Sequence, residues 1–479
     1  MKLLGVRIDE HDTNLSYYNN GVVHYLKTER KFNVKHHHFS SIAEIEHLIW
    51  DEWCLSFKDI TELAIVIDAW HHGFSLEHEN FFPSIENFDL GIPCKTTRVN
   101  HHYAHQLSCW TNTKRANNNG IVIDGFGDWD NAWTVFKNGK IIEKGSVEKH
   151  GSIGQRMAML KDVYNLQGSL VDAAGKLMAL QSYGKIDRYL LNEIKKYDIY
   201  DVRTVFKILH EDNKLDSLKT IHHHIGYVIL NLFKKHFKTN EAICYSGGVA
   251  LNVNWNTLLK NYFPNIIIPP HANDEGLSLG ALEYLRLKYK LPFLKLKNFP
   301  YCQSDVKPKT NPSKKLIKKV SELLKNQKII GWYQGNGEIG PRALGNRSIL
   351  ADPRSKDMKN KINKIKKREY FRPFGCSTLD KSFNDSEYML YADPINPFIY
   401  PAVSHIDSTC RHQTVIKESH FKKLLKSFYN ITNCNTLLNT SLNNNGNPLC
   451  SNFYQCFNLL QESELDGLVF GNELYLKND

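Results

Sequence analysis

The sequence predicts an α/β protein in two parts, and three observations carry that prediction. Short apolar runs at residues 63–67, 120–124 and 242–245 have the composition of buried strands, and each enters a polar or glycine-rich loop. Segments of helical period alternate with them, the arrangement by which α/β folds present ligands at the carboxyl ends of strands. A lysine- and proline-rich stretch without apolar period, residues 286–315, then separates the first part from a second. A chain of 479 residues is too long for one core. With 42% hydrophobic and 11% aromatic residues, disorder is excluded.

Taken in order, residues 3–8 and 21–26 read as strands joined by a turn that carries His11 and Asp12. The opening Met1-Lys2-Leu3-Leu4 run is too brief and too soon polar for a signal peptide. Glu29, Arg30, Lys35 and His36 follow the second strand. Helical period is clear at 101–110, 155–164, 172–181, 223–237 and 276–288. The histidine triplets 36–38 and 222–224 are expected to be partly solvated, since consecutive helical residues cannot all face one metal. No internal repeat is visible, although Asp124-Gly125-Phe126-Gly127 and Ser246-Gly247-Gly248 are candidates for equivalent turns in two related lobes. Beyond the break, 316–324 reads as a basic amphipathic helix and 329–333 as a strand leading into an arginine loop.

That loop, Gly340-Pro341-Arg342-Ala343-Leu344-Gly345-Asn346-Arg347, is too rigid for a linker and too polar for core. Guanidinium forks bind phosphate or carboxylate bidentately, and glycines let backbone N–H groups approach an anion. The same chemistry recurs in Lys366-Lys367-Arg368-Glu369-Tyr370-Phe371-Arg372-Pro373-Phe374 and in Asn439-Thr440-Ser441-Leu442-Asn443, so this half reads as a polyanion holder. Lys+Arg of 61 against Asp+Glu of 50 gives +11, which suits an enzyme of phosphorylated small molecules as well as a nucleic-acid binder. The lack of an aromatic-rich basic stripe argues against RNA. Ten cysteines without a Cys-x-x-Cys pair read as reduced, mostly buried thiols of a cytoplasmic protein. No run reaches the ~20 apolar residues that span a bilayer.

In the first part, His101 and His105 are four apart on a helix and can share a metal. Asp124 and Asp274 at loop mouths would complete a mixed N/O donor set with an open position. Surface histidines and helix-capping aspartates are the alternative reading. Gly247-Gly248-Val249-Ala250-Leu251-Asn252 after a strand reads as a phosphate-approach loop, and Asp172 and Lys176 as contacts to a ribose hydroxyl and a phosphate. A glycine turn and a capped amphipathic helix would explain both equally.

Together these stretches, with His101-His102-Tyr103-Ala104-His105, Gly175-Lys176-Leu177-Met178-Ala179-Leu180 and Ala402-Val403-Ser404-His405-Ile406-Asp407, resemble the O-carbamoyltransferases of the nodulation and antibiotic-tailoring type. The resemblance implies an actin/Hsp70-like (ASKHA) two-lobed domain over residues 1–295, related to the tRNA threonylcarbamoyl transferases. It also implies an α+β YrdC-like domain over residues 296–479. By this likeness the C-terminal domain makes carbamoyl adenylate from ATP and carbamoyl phosphate. A separate, linked N-terminal pocket then passes the carbamoyl group to a hydroxyl of a small acceptor: a sugar, an antibiotic-like alcohol or a hydroxymethylated pyrimidine nucleotide.

The resemblance also implies residue roles. His101, His105, Asp124 and Asp274 would bind a divalent metal, iron first, with zinc or manganese as alternatives and Mg²⁺ accompanying ATP. His11 and Lys35 would be catalytic, one taking the acceptor's proton and one stabilising charge. Gly125, Gly127, Asp172, Lys176, Gly247, Gly248 and Asn252 would hold the nucleotide. Arg342, Arg347, Arg368, Arg372, Ser441 and Asn443 would bind carbamoyl phosphate and ATP. Two other readings stay open: a tRNA threonylcarbamoyl-type enzyme, and a non-catalytic nucleotide-binding actin-like scaffold. The expected partners are the small-molecule hydroxyl acceptor, ATP and carbamoyl phosphate. Neither a membrane nor a stable nucleic-acid partner is expected, and a homodimer is allowed for.

Overall fold

The computed structural model describes residues 1–477 apart from 10, 40, 68–80, 114–117, 129, 197–212, 382–385 and 445. Three sheets organise it. The first comprises β1 (Lys2–Ile8), β2 (Asn14–Asn19), β3 (Val22–Lys27), β4 (Glu62–Ile67), β5 (Ser84–Glu86) and β6 (Lys95–Val99), in the order β3-β2-β1-β4-β6-β5. β1, β2 and β3 form an antiparallel meander, β4 lies parallel to β1, and β6 lies parallel to β4.

The second sheet repeats that plan. β7 (Gly120–Ile123), β8 (Asn131–Lys137) and β9 (Lys140–Ser146) are the meander; β10 (Ile243–Ser246) is parallel to β7, and β11 (Ile266–Ile267) is parallel to β10. An internal repeat therefore exists in topology that the residues do not advertise. It corrects the expected equivalence of turns. The Asp124 turn joins β7 to β8 and corresponds to the His11 turn between β1 and β2, whereas Ser246-Gly247-Gly248 follows a crossover strand.

The sequence reading placed one turn between residues 8 and 21, where the structure has the extra strand β2. Its residues look like loop because half are polar. Their partners come from far along the chain: Asn14 donates to Asp274 O at 2.9 Å and accepts from Ser278 N at 3.1 Å, and the Ser16 and Ser278 hydroxyls meet at 2.6 Å. The histidine triplet 222–224 is a second correction. His222 and His224 are buried, because the helix Lys214–His236 is enclosed on most sides by the largest core cluster.

The third sheet gathers β12 (Ile330–Tyr333), β13 (Arg347–Ala351), β14 (Gly375–Thr378), β15 (Ala392–Pro394), β16 (Thr409–Thr414), β17 (Thr436–Ser441), β18 (Gly467–Phe470) and β19 (Glu473–Leu476), in the order β15-β16-β14-β17-β13-β12-β18-β19. Strand alternation sorts its two faces. Ile330, Trp332, Leu350 and Leu437 pack under the helices Lys314–Lys325 and His420–Thr432. Tyr333, Ile349, Leu438 and Leu468 pack under Met358–Lys366 and Phe453–Glu462. Phe371, Leu390 and Tyr391 leave this part and bury themselves in the core around Lys214–His236, so the two parts share apolar contacts. None of the ten cysteines forms a disulfide, and most are buried. Among the described residues no helix is long and apolar enough to cross a membrane.

A glycine contact fixes the helix that carries His101 and His105. The helix Leu277–Lys288 meets the helix His101–Ser108 backbone to backbone at Gly280, where a Cβ would lie 1.9 Å from Ala104 O. Only a residue without a side chain permits that approach. Gly280→Val is expected to destabilise the fold by about 1–3 kcal/mol through overpacking. Urea denaturation measures it, and an unchanged midpoint would contradict the close contact.

Candidate active site

The helix His101–Ser108 is capped by Asn100, whose side chain accepts from Tyr103 N at 2.9 Å. Asp128 also accepts from His101 N, so the first turn is held twice. One turn apart, the His101 and His105 rings face Asp124, just beyond β7, and Asp274, which opens the turn Asp274–Gly276. His105 Nε2 lies 2.7 Å from Asp124 Oδ2 and 3.2 Å from Asp274 Oδ1, and His101 Nε2 lies 3.7 Å from both. One donor atom from each of the four residues falls within 4.8 Å of all the others. His102 turns away, its Nδ1 meeting Thr134 Oγ1 at 2.6 Å.

These groups are buried, and His101 Nε2, His105 Nε2 and Asp124 Oδ2 have no partner of hydrogen-bond geometry. Converging, orphaned donors of mixed N/O type fit a divalent metal. The pKa shifts show how strongly the cluster favours positive charge. Burial disfavours charge on each group. Even so, Asp124 stays well below the usual carboxylate range beside the two imidazoles, and the two carboxylates push His105 up to about 9. Arg7 lies behind the cluster and donates to Asp274 Oδ2 at 2.9 Å, fixing that carboxylate as an outer-sphere partner does.

The His/Asp cluster opens into a cavity of about 980 Å³ whose wall also includes His11, Lys35, Arg342, Arg372, Ser441 and Asn443. The expected pair of separate pockets is thus one continuous space. A loop carries the second part to it. Gly340, at φ +89°, lies so close to Pro270 that a Cβ would sit 2.1 Å from the Pro270 carbonyl oxygen, four residues before Asp274. Glu338 Oε1 accepts from Leu344 N (2.8 Å), Asn346 N (2.8 Å) and Arg347 N (3.1 Å). Arg30, from the first part, donates to Glu338 O and to Gly340 O, the latter at 3.1 Å.

Beyond the loop sits a group of buried cations. Lys366 Nζ donates to Ser441 O (2.8 Å), Ser441 Oγ (2.9 Å), Asn443 O (2.7 Å) and Asn443 Oδ1. Arg368 lies over the Phe374 ring at 3.9 Å and donates to Asn363 Oδ1 and Pro373 O. Arg342 reaches Leu251 O at 3.3 Å, and the Nε atoms of Arg342 and Arg411 have no partner. Burial first, and repulsion among neighbouring cations second, push Arg342, Lys366 and Arg368 well below their usual values. Burial also brings Arg411 down to about 10. Buried positive charge of this density calls for an anion to join it.

Two family models match the chain, described as "Carbamoyltransferase N-terminus" over residues 195–282 and "Carbamoyltransferase C-terminus" over residues 321–477. The chain belongs to the carbamoyltransferase family. Nodulation protein NolO of Bradyrhizobium diazoefficiens is 28% identical over 438 residues, covering 79% of each chain. Nodulation protein NolNO of Sinorhizobium fredii is 28% identical over 445 residues, 80% of this chain and 64% of that protein. Among solved structures, the activator of the 2-hydroxyisocaproyl-CoA dehydratase from Clostridium difficile with bound ADPNP is 14% identical. That match covers 60% of this chain and 96% of the activator, with a TM-score of 0.38.

Within this carbamoyltransferase the sequence-predicted residues divide. Of the four metal-type ligands, His101, Asp124 and Asp274 line the cavity, and His11, Lys35, Gly125, Gly127, Asp172, Gly248, Asn252, Arg342, Arg372, Ser441 and Asn443 line it with them. Arg347 does not. It is fully buried, lies 3.4 Å over the Tyr333 ring, pairs with Asp305 at 3.0 Å and donates to three backbone carbonyls, so it holds the loop together. Lys176 is committed to Glu369 at 2.5 Å, and Asp172 to Lys35 at 2.8 and 2.7 Å. Asn252 caps the helix Val253–Tyr262 and contacts His222 Nε2 at 3.0 Å. Gly247 packs on β7, where a Cβ would lie 2.2 Å from Ile123 O.

Sequence reasoning quoted Lys366 in its basic stretch without giving it a role, and it missed Arg411. Lys366 was readable as the last residue of an amphipathic helix, Met358–Lys366, whose phase turns it inward. Arg411, on β16, had no local signal. If the His/Asp cluster holds a metal, His105→Ala lowers the metal bound after reconstitution to below about a tenth of the unaltered enzyme's. Elemental analysis of the folded variant checks this, and full occupancy would exclude His105 as a ligand.

Proposed function

We propose that this carbamoyltransferase makes carbamoyl adenylate from ATP and carbamoyl phosphate and passes the carbamoyl group to a hydroxyl of a small acceptor. One observation carries the reading: a single cavity is lined both by Arg342 and Arg372, neighbours of the buried cations Lys366, Arg368 and Arg411, and by His101, Asp124 and Asp274 of the two-histidine, two-aspartate cluster. The repeated meander-and-crossover plan supports an actin/Hsp70-like first domain over 1–295. The eight-stranded sheet, with Lys366, Arg368, Ser441 and Asn443 at one place, supports a YrdC-like second domain over 296–479.

In the second domain, water would cleave carbamoyl phosphate to phosphate and carbamate. A carbamate oxygen would then attack the α-phosphorus of ATP and expel pyrophosphate. Arg342, Lys366, Arg368, Arg372 and Arg411 would neutralise these anions, with the Ser441 hydroxyl and the Asn443 amide completing the hydrogen bonds. In the first domain the acceptor oxygen would bond to the carbamoyl carbon, and AMP would leave with the electron pair of the broken C–O bond. A metal held by His101, His105, Asp124 and Asp274 (iron, zinc and manganese all accept such donors) would supply Lewis-acid polarisation there.

His11 would take the acceptor's proton. Its Nδ1 faces Asp12 Oδ2 at 3.3 Å, leaving Nε2 for the exchange. Burial lowers the His11 pKa, but the Asp12 hydrogen bond and charge, with Asp274 beyond, raise it to about 9. His11 is therefore protonated at neutral pH, and the base form grows as pH rises. Transfer kcat/KM is expected to climb about tenfold per pH unit from 7 toward 9, and a flat profile would remove His11 from this role. Carbamoyl-phosphate-dependent pyrophosphate–ATP exchange tests the first half. Arg372→Ala should abolish it, while His101→Ala should keep it and lose acceptor carbamoylation. Loss of both halves in folded His101→Ala would contradict the division of labour.

A further inference from the structure

One part of the cavity wall is lined unlike the rest. Phe126, Met159, Leu170 and Val171 all face it, and all are large apolar side chains left 46%, 50%, 52% and 49% exposed. They come from three adjoining pieces of chain. Phe126 is in the Asp124 turn. Met159 ends the helix Ile153–Met159, which packs on that turn so closely that a Cβ at Gly154 would lie 3.0 Å from Gly125 N. Leu170 and Val171 form the first turn of the helix Leu170–Leu180, beside Asp172 and its Lys35 partner, and this helix packs against Ile153–Met159. The four side chains therefore make one apolar lip on the cavity wall beside Lys35. Solvent-exposed apolar groups gathered at the mouth of a functional cavity mark a place where a ligand covers them.

Three cations of the cavity wall are already matched. Lys35 is bound to Asp172 at 2.8 and 2.7 Å. Lys27 sits among Asp12 (2.8 Å), Glu29 (3.0 Å) and Glu275 (3.0 Å), and Arg98 pairs with Asp128 at 3.1 Å. Each of these three cations therefore has a carboxylate within ion-pair distance. Arg342, Lys366, Arg368 and Arg411, which lie among other cations, are assigned above to carbamoyl phosphate and ATP. A phosphate carried in by the acceptor would meet Asp172 and find Lys35 already taken. An uncharged body with an apolar face would instead cover the lip and leave its hydroxyl directed inward.

We propose that this lip is the acceptor subsite and that the acceptor is an uncharged alcohol carried on an apolar or aromatic body. The proposal rests on the carbamoyl-transfer reading above and narrows its acceptor. Two matched pairs test it: phenyl glucoside against glucose, and a hydroxymethylpyrimidine nucleoside against its 5′-monophosphate. Carbamoylated product is followed by mass, and binding of all four compounds is ranked by saturation-transfer NMR in the presence of ATP and carbamoyl phosphate. The phenyl glucoside and the nucleoside are expected to exceed their partners at least about tenfold in kcat/KM, the scale on which apolar contacts discriminate, and to rank above them in binding. Leu170→Asp and Val171→Asp, at sites already half exposed, should erase the phenyl glucoside preference and leave the nucleoside's preference over its monophosphate in place. Equal or reversed ranking, or a phenyl glucoside preference that survives both variants, would overturn the proposal. Absence of carbamoyl-phosphate-dependent pyrophosphate exchange would instead overturn the carbamoyl-adenylate reading, so the two failures are distinguishable.

Discussion

The carboxylate of Glu338 holds the molecule's functional geometry together. One of its oxygens takes three backbone N–H groups of residues 344–347, which bends the arginine loop back on itself. Arg30 then ties the start of that bend to the first part of the chain by donating to the carbonyls of residues 338 and 340. A loop so held lies on Pro270 and brings Arg342 to the cavity that Asp274 also lines. Without a buried anion to collect those amides, a glycine-rich segment of this length would have many conformations and no reason to choose this one. Arg347 completes the arrangement from inside, pairing with Asp305.

Around that hinge of contacts the protein arranges charge in three ways. The His101–His105–Asp124–Asp274 group is internally complementary and converges on a point, which suits a cation. The group of Lys366 with Arg342, Arg368 and Arg411 is all positive and buried, which suits an anion. Elsewhere on the cavity wall, Lys27, Lys35 and Arg98 are matched by carboxylates and carry no excess. Buried like charges cost stability unless a ligand compensates them, so the uncompensated groups indicate where binding energy is to be gained. The matched groups keep that wall polar without attracting a second anion.

Much of the site was legible because its chemistry is local. His101 and His105 sit one helical turn apart, and that spacing alone places both rings on one face. The aspartates follow short apolar strands or precede a helix, positions at which α/β folds expose side chains. The arginine loop announced itself by glycine, proline and guanidinium in one run. Arg347 misled for the same reason. Local composition cannot distinguish an arginine that faces a ligand from one whose carboxylate partner, Asp305, lies forty-two residues earlier. Lys176 misled likewise, since its partner Glu369 belongs to the other part of the chain.

The residues by themselves determined the elements and the donor types: which runs become strands, which helix carries the imidazoles, and which segments are rich in guanidinium groups. Periodicity and spacing are properties of neighbours in the chain, so they survive without a fold. Tertiary structure alone decided the strand Asn14–Asn19, the doubled meander, the union of two expected pockets into one cavity, and the roles of Glu338, Lys366 and Arg411. Each of these depends on contacts between residues far apart in sequence. Whether a polar side chain is an exposed group, a structural tie or a ligand depends on what those distant contacts place beside it.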